Sequence, residues 1–302
     1  MSGDPLKRKT LLESKIGTDF RLRLISALIL APIALGVVWV GGYAFLAMVS
    51  LGTVLILREW VGITAKLSAT RDVWILAGIM IVALVLAALR EFEYSLASII
   101  LVVGMAAILP QFDGARKWIM LGAAYTIFAS AGLMFLRQGE FGLHAIFGLL
   151  ILVWATDIGA YFSGRLIGGP KLWPAVSPNK TWSGATGGLL AAVLLSVLAG
   201  QLNGYHQLGA IAILAAFLSG ISQLGDLAES ALKRHFDVKD SGGIIPGHGG
   251  LLDRVDGLML ATIAAFFVAA ALHGFADPTL LLVELHGNAA LVNLDGNVIL
   301  ER

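Results

Sequence analysis

The sequence predicts an all-α, polytopic integral membrane protein with about nine transmembrane helices, its N-terminus in the cytoplasm and its C-terminus outside. Three observations carry this. Of 302 residues, 58% are hydrophobic and only 14% are charged, against about 25% charged in an ordinary soluble domain. That leaves too little polar surface to cover a water-soluble fold. Long apolar stretches recur along most of the chain, each near the roughly 20 residues that a spanning helix requires. When these stretches are threaded alternately through a bilayer from a cytoplasmic N-terminus, all but three of the 21 Lys and Arg residues fall on the cytoplasmic side. The exceptions are Arg90, Arg137 and Arg302, and this asymmetry is what the positive-inside rule expects. The absence of cysteine excludes a disulfide-stapled domain, a thiolate metal site and a cysteine nucleophile.

The stretches run Leu24–Val40, Tyr43–Leu57, Val73–Leu89, Ser95–Pro110, Trp118–Leu136, His144–Phe162, Ala185–Leu202, Leu208–Leu232 and Leu258–His273. Residues 1–23 form a basic cytoplasmic segment. Residues 24–143 hold about five membrane helices, and residues 144–273 hold the remaining helices with two long cytoplasmic loops. Residues 274–302 form a C-terminal tail without recognisable chemistry. The polar lead before the first apolar run exceeds 20 residues, so that run reads as a retained helix and not as a cleaved signal.

Chemistry concentrates in the two long loops, Ser163–Gly184 and Lys233–Gly257. Asp226 sits in an apolar stretch, where an ionised carboxylate is costly unless paired or bound to a cation. Helical spacing puts Gln223, Asp226, Glu229, Ser230 and Lys233 on one face, which therefore lines a polar cavity. The plainer reading is an ion pair of Asp226 or Glu229 with Lys233. Asp253 and Asp256 also share a helix face. With Asp226 they supply an all-oxygen donor set of the kind Mg²⁺ takes together with substrate phosphates. Here the plainer reading is that Asp253 pairs with Arg254 or caps the last helix. Asp157, at the cytoplasmic end of its helix, is either a ligand or an orienting group. His248 lies among glycines whose N–H groups can cradle an anion. A P-loop is excluded, because Lys180-Thr181 follows Asn179 and not glycine.

The run Ser230-Ala-Leu-Lys233-Arg234-His-Phe-Asp-Val-Lys239-Asp240-Ser-Gly-Gly-Ile-Ile-Pro246-Gly-His248-Gly249-Gly250-Leu-Leu-Asp253-Arg254-Val-Asp256 closely resembles the signature of the phosphatidate cytidylyltransferases. Gly225-Asp226-Leu-Ala-Glu229-Ser230, Asp157-Ile-Gly-Ala-Tyr161-Phe-Ser-Gly-Arg165 and Ser177-Pro-Asn179-Lys180-Thr181 resemble the family's other landmarks. The resemblance covers about residues 154–257; the first half is similar only in hydropathy and around Arg58-Glu59-Trp60. Ser183 departs from the glutamate that family members often carry there.

The resemblance implies the reaction CTP + phosphatidate → CDP-diacylglycerol + pyrophosphate, with Mg²⁺ and room for a second cation. It implies Asp226, Asp253 and Asp256 as metal ligands. Lys180, Lys233, Arg234, Lys239, Asp240 and Arg254 are the expected catalytic set. Ser177, Asn179, Thr181, Ser230, His248, Gly249, Gly250 and Arg165 are the expected substrate contacts. The expected partners are CTP, phosphatidate and the lipid bilayer, with a homodimer as a family expectation and no nucleic acid. The expected location is the inner membrane of a bacterium, with the active site at its cytoplasmic face. Two alternatives stand beside this: a CTP-dependent enzyme acting on another lipid phosphate or a polyprenol, and a membrane transporter. Against the transporter, the charges gather at one surface and not at a midplane between repeats.

Overall fold

The computed structural model describes residues 26, 28–66, 70–89, 92–109, 112, 114–139, 141–245 and 249–273, together with 291–292 and 298–299. Among the described residues the helices are α1 (Leu28–Val40), α2 (Gly42–Ala65), α3 (Arg71–Ala88), α4 (Phe92–Ile108), α5 (Arg116–Gln138), α6 (Gly142–Leu166), α7 (Trp182–Leu202), α8 (Leu208–His235) and α9 (Leu252–His273). They coincide in order with the nine expected stretches. Seven are long and apolar enough to cross a membrane, and the apolar parts of α1 and α4 are shorter. Even all 17 residues of α4 reach about 25 Å, against a hydrocarbon core of about 30 Å. The chain is thus a helical, polytopic membrane protein. The whole N-terminal segment 1–23, most of the C-terminal tail and His248 lie outside the described residues.

One expectation changes form. The loop expected between the sixth and seventh stretches is mostly ordered structure: α6 continues to Leu166, and a hairpin follows. Strand β1 (Lys171–Trp173) pairs antiparallel with β2 (Ser177–Thr181), Lys171 opposite Thr181 and Trp173 opposite Ser177. A second two-stranded pairing, β3 (Leu291–Val292) with β4 (Val298–Ile299), lies in the tail. The first hairpin ends directly in α7, whose N-terminus is capped by the Thr181 hydroxyl accepting from the Gly184 N–H at 3.0 Å.

Packing gathers the helices around three apolar clusters. The largest is built mainly from α1–α5, with Phe112, Ile119 and Ile127 fully buried. Another joins Ile56 and Trp60 of α2 to Ala129 of α5, Leu232 of α8 and Leu252 and Met259 of α9. The third joins Leu149, Leu152 and Val153 of α6 to Ala192 of α7, Ala215 and Leu218 of α8 and Ala261 of α9. Helix α5, the most enclosed of the spanning helices, packs against both α2 and α9. Arg137 at its far end donates to the carbonyls of Val38 at 2.9 Å and Trp39 at 3.1 Å. A cation there stabilises the exposed carbonyls ending α1. Gly41 turns the chain at φ 66°, and a side chain at this position would collide with the Arg137 guanidinium.

Helices α6 and α7 approach through small residues, as membrane helices do when no hydrophobic force distinguishes helix from lipid. A Cβ added to Gly159 would lie 2.5 Å from Ala191 Cβ, and one added to Gly188 would lie 2.6 Å from the Thr156 carbonyl. Gly148, on the same helix as Gly159, has open space beside it. Gly188→Ala is therefore expected to destabilise the protein by about 1–3 kcal/mol through overpacking. Gly148→Ala should stabilise it by roughly 0.5–1 kcal/mol through helix propensity. Unfolding in detergent monitored by circular dichroism checks both signs.

Candidate active site

The site grows from a contact between α8 and α9. A Cβ on Gly225 would lie 2.8 Å from the Asp256 carbonyl and 3.3 Å from Gly257 Cα; one on Gly257 would lie 2.6 Å from the Ser222 hydroxyl. Only glycine at both positions lets the two backbones meet so closely. The next residue along α8 is Asp226, and the one before Gly257 is Asp256, so the contact brings two carboxylates to one place. Tyr125 of α5 fixes α9 here, its hydroxyl donating to the Asp256 carbonyl at 3.0 Å. Gln223 ties α8 to α7 by donating to the Ala185 carbonyl at 3.2 Å.

Two charged clusters result. In the first, Asp226 forms an ion pair with Lys180 of β2. Asp157 of α6 interacts electrostatically with Asp226 and Lys180, and Asp256 with Asp226, Asp157 and Lys180. This cluster is the more open of the two: the Asp226 side chain is 37% exposed and that of Lys180 27%, although the Lys180 nitrogen itself is buried. In the second, Lys233 bridges Glu229 at 2.6 Å and Asp253 at 2.7 Å, with the three side chains only 13%, 3% and 8% exposed. Asp253 also accepts from the backbone N–H groups of Ser241 at 2.9 Å and Gly250 at 3.0 Å. The plainer reading of Lys233 fits, since it pairs with Glu229 within its own helix; Asp253 instead pairs with Lys233 and accepts from amides that precede α9.

The expected metal trio is not assembled as one ligand set. Among the described residues no group of three acidic or histidine side chains is spaced to hold a metal ion. Asp253 is occupied by Lys233 and two amides, whereas Asp226 and Asp256 share the open cluster with Asp157. Asp157 is the carboxylate whose part the sequence left undecided.

A carboxylate from the opposite half of the chain completes the closed cluster. Glu59 of α2 is buried and accepts from the N–H groups of Leu251 at 2.9 Å and Leu252 at 2.8 Å, and from the Ser241 hydroxyl at 3.2 Å. It therefore caps α9 from another helix. Its sequence signal was the similarity around Arg58-Glu59-Trp60, just past the apolar run that ends at Leu57, and this assigned it no role.

The other expected residues fall around these clusters. Thr181 caps α7 and, with Ser183, closes the hairpin: their hydroxyls lie 3.0 Å apart, and Ser183 also donates to the Gly168 carbonyl. The Ser183 side chain thus holds the loop. Arg165 donates to the Tyr161 hydroxyl at 2.8 Å, and Arg234 to the Val238 carbonyl at 3.3 Å. Ser177 and Ser230 are half-buried, while Asn179, Lys239, Asp240 and Arg254 are exposed. Gly249 turns at φ 89° beside the Asp253 carboxylate; Gly250 donates to it.

The sequence profile of the Cytidylyltransferase family matches residues 21–272. The chain belongs to the cytidylyltransferase family. It is 41% identical over 276 residues to the phosphatidate cytidylyltransferase of Brucella abortus, covering 87% of this chain and 97% of that protein. Similarity to the Brucella suis enzyme of the same name is 41% over 273 residues, covering 86% and 96%. The Bacillus subtilis phosphatidate cytidylyltransferase is 44% identical over 135 residues, covering 43% of this chain and 49% of its own. Family membership makes this a nucleotidyl-transferring enzyme, and its polar clusters on apolar helices are the place for that chemistry.

Lys233→Met would leave Glu229 and Asp253 facing each other without a cation in an enclosed place. Breaking a buried pair in this way costs about 3–5 kcal/mol. The double variant Glu229→Gln/Lys233→Met should recover part of that loss, because one of the two stranded charges is gone. Thermal unfolding in detergent measures both.

Proposed function

We propose that this protein is a phosphatidate cytidylyltransferase of the bacterial inner membrane, transferring CMP from CTP to phosphatidate at the cytoplasmic face. The observation that carries the proposal is the open Asp226–Lys180 pair with Asp157 and Asp256 around it. Charged groups on membrane-spanning helices face protein or water and mark functional paths. Here they remain reachable at one end of the bundle, where a soluble nucleotide and a bilayer lipid can meet. The partition of basic residues supports nine membrane segments with the N-terminus in the cytoplasm and the C-terminus outside.

Phosphatidate carries a phosphomonoester whose second pKa is about 6, so its oxygen is already a nucleophile near neutral pH. No strong protein base is required. The lipid phosphate oxygen forms a bond to the α-phosphorus of CTP while the bond from that phosphorus to the bridging β-phosphate oxygen breaks. Pyrophosphate leaves with the electron pair. The protein's part is alignment and charge neutralisation. Lys180 and Lys233 would hold phosphate oxygens from within the bundle, and Arg234, Lys239 and Arg254 would draw the pyrophosphate and the headgroup from the rim.

The donor chemistry of the open cluster fits Mg²⁺, which binds through one or two carboxylates plus substrate phosphates and water. Asp226 and Asp256 would hold it, with Asp157 beside them. When bound, the ion would neutralise charge on the nucleotide phosphates. Asp253 would act on it through Lys233 and the loop, or as a ligand after that loop rearranges.

The deciding experiment supplies labelled CTP, phosphatidate and Mg²⁺ to the purified protein. CDP-diacylglycerol and pyrophosphate are expected in equal amounts, and omission of lipid or addition of EDTA should stop both. Asp226→Asn and Asp253→Asn should each lower turnover by about 10²-fold or more while membrane insertion is unchanged. Lys239→Ala should lower turnover without altering lipid preference. Wild-type activity in both aspartate variants would overturn the metal assignment, and solute flux without nucleotide would favour a transporter.

A further inference from the structure

The contact between Glu59 and residues 241 and 251–252 is a polar arrangement that the proposed chemistry does not use. Glu59 Oε1 accepts from Leu251 N–H, and Oε2 accepts from Leu252 N–H and the Ser241 hydroxyl. That same hydroxyl accepts from the Asp253 N–H at 3.3 Å, and the Asp253 carboxylate holds Lys233. An unbroken line of hydrogen bonds thus leads from α2, in the half of the chain without catalytic motifs, to the lysine at the centre of the closed cluster.

The surrounding backbone is shaped for a carboxylate. A Cβ at Gly242 would lie 2.7 Å from Glu59 Oε1, and one at Gly250 would lie 2.7 Å from Oε2. Both glycines leave room that Glu59 fills. Every contact it makes is with a donor, so a carboxylate meets all of them. Glutamine would present one N–H₂ group toward an N–H or O–H donor and lose at least one of the bonds. Aspartate would fall short by a methylene. Since α9 begins at Leu252, the capped amides also fix the start of the helix that carries Asp253 and, one residue short of a turn later, Asp256.

We infer that Glu59 is a positioning residue of the active site: it sets the register of residues 241–242 and 250–256 and thereby aims Lys233 and the α9 carboxylates at the substrate phosphates. It touches no substrate. The inference rests on the cytidylyl-transfer reading for its kinetic part and on the hydrogen-bond line alone for its structural part.

The test uses the full-length protein in detergent or reconstituted membranes, with Glu59→Gln, Gly242→Ala and Ser241→Ala. Glu59→Gln should lower kcat by about 10–100-fold, the scale of a small misplacement of catalytic groups. The KM for CTP should stay within about threefold of wild type, because the loss falls on the aligned transition state. Gly242→Ala crowds the same carboxylate from the loop side and should reproduce the effect, which keeps the test alive if Glu59→Gln does not fold. The double variant Glu59→Gln/Ser241→Ala should be no worse than the poorer single variant, since both cut one line. Amide hydrogen exchange should quicken in residues 249–256 of each single variant. Unchanged kcat in Glu59→Gln and Gly242→Ala, additive losses in the double variant, or unchanged exchange in residues 249–256 would overturn the inference. A wild-type protein that makes no CDP-diacylglycerol would refute the reaction instead, and the exchange measurement would still decide the role of Glu59.

Discussion

The contact of α8 with α9 at Gly225 and Gly257 is the constraint on which the site depends. Like charges repel, and on membrane helices they are costly to place at all. Yet this contact delivers Asp226 and Asp256 to one location, with Asp157 arriving from α6. The arrangement is stable only because cations meet these carboxylates: Lys180 reaches Asp226 from the hairpin, and Lys233, two turns beyond Asp226 on α8 itself, pairs with Glu229 and Asp253. The hairpin thus supplies the cation that the open cluster lacks on its own helices.

The difference in enclosure separates the two clusters by task. Lys233 and its partners are shielded, so their electrostatic attraction is little screened and holds the Lys233 ammonium in one place, ready for a phosphate oxygen. Asp226 and the stem of Lys180 are less enclosed, so this pairing can be exchanged for contacts with an arriving polyphosphate at lower cost than that of Lys233. A nucleotide-handling site in a membrane needs both: a cation held in place, and charges free to change partner.

Much of this was legible in the sequence. The apolar runs located every helix, because a membrane span leaves little choice of composition, and the segments around Lys180, Asp226 and Asp253 marked the charged clusters. Three things were not legible. The hairpin at 171–181 lies in a stretch with two prolines and a lysine near each end, where no period-2 pattern announces strands. Asp253 and Asp256 share a helix face by spacing, but one turn of α9 divides between two clusters because Lys233 and the Ser241 loop claim the first of them. Glu59 is separated from its partners by more than 180 residues, and a single acidic residue just past an apolar run does not say which distant amides it will meet. Spacing reveals neighbours within an element; contacts between halves of the chain depend on packing.

The central claim is that the closeness of α8 and α9, and not merely the presence of the aspartates, makes the site. Gly225→Ala compared with Gly220→Ala tests this most directly. Both glycines lie on α8, but a Cβ at Gly220 meets nothing within 4 Å, whereas one at Gly225 meets the α9 backbone. Measured as CDP-diacylglycerol formed from CTP and phosphatidate, turnover in Gly225→Ala should fall by about 10-fold or more, and Gly220→Ala should match wild type. Equal turnover in the two variants would contradict the account.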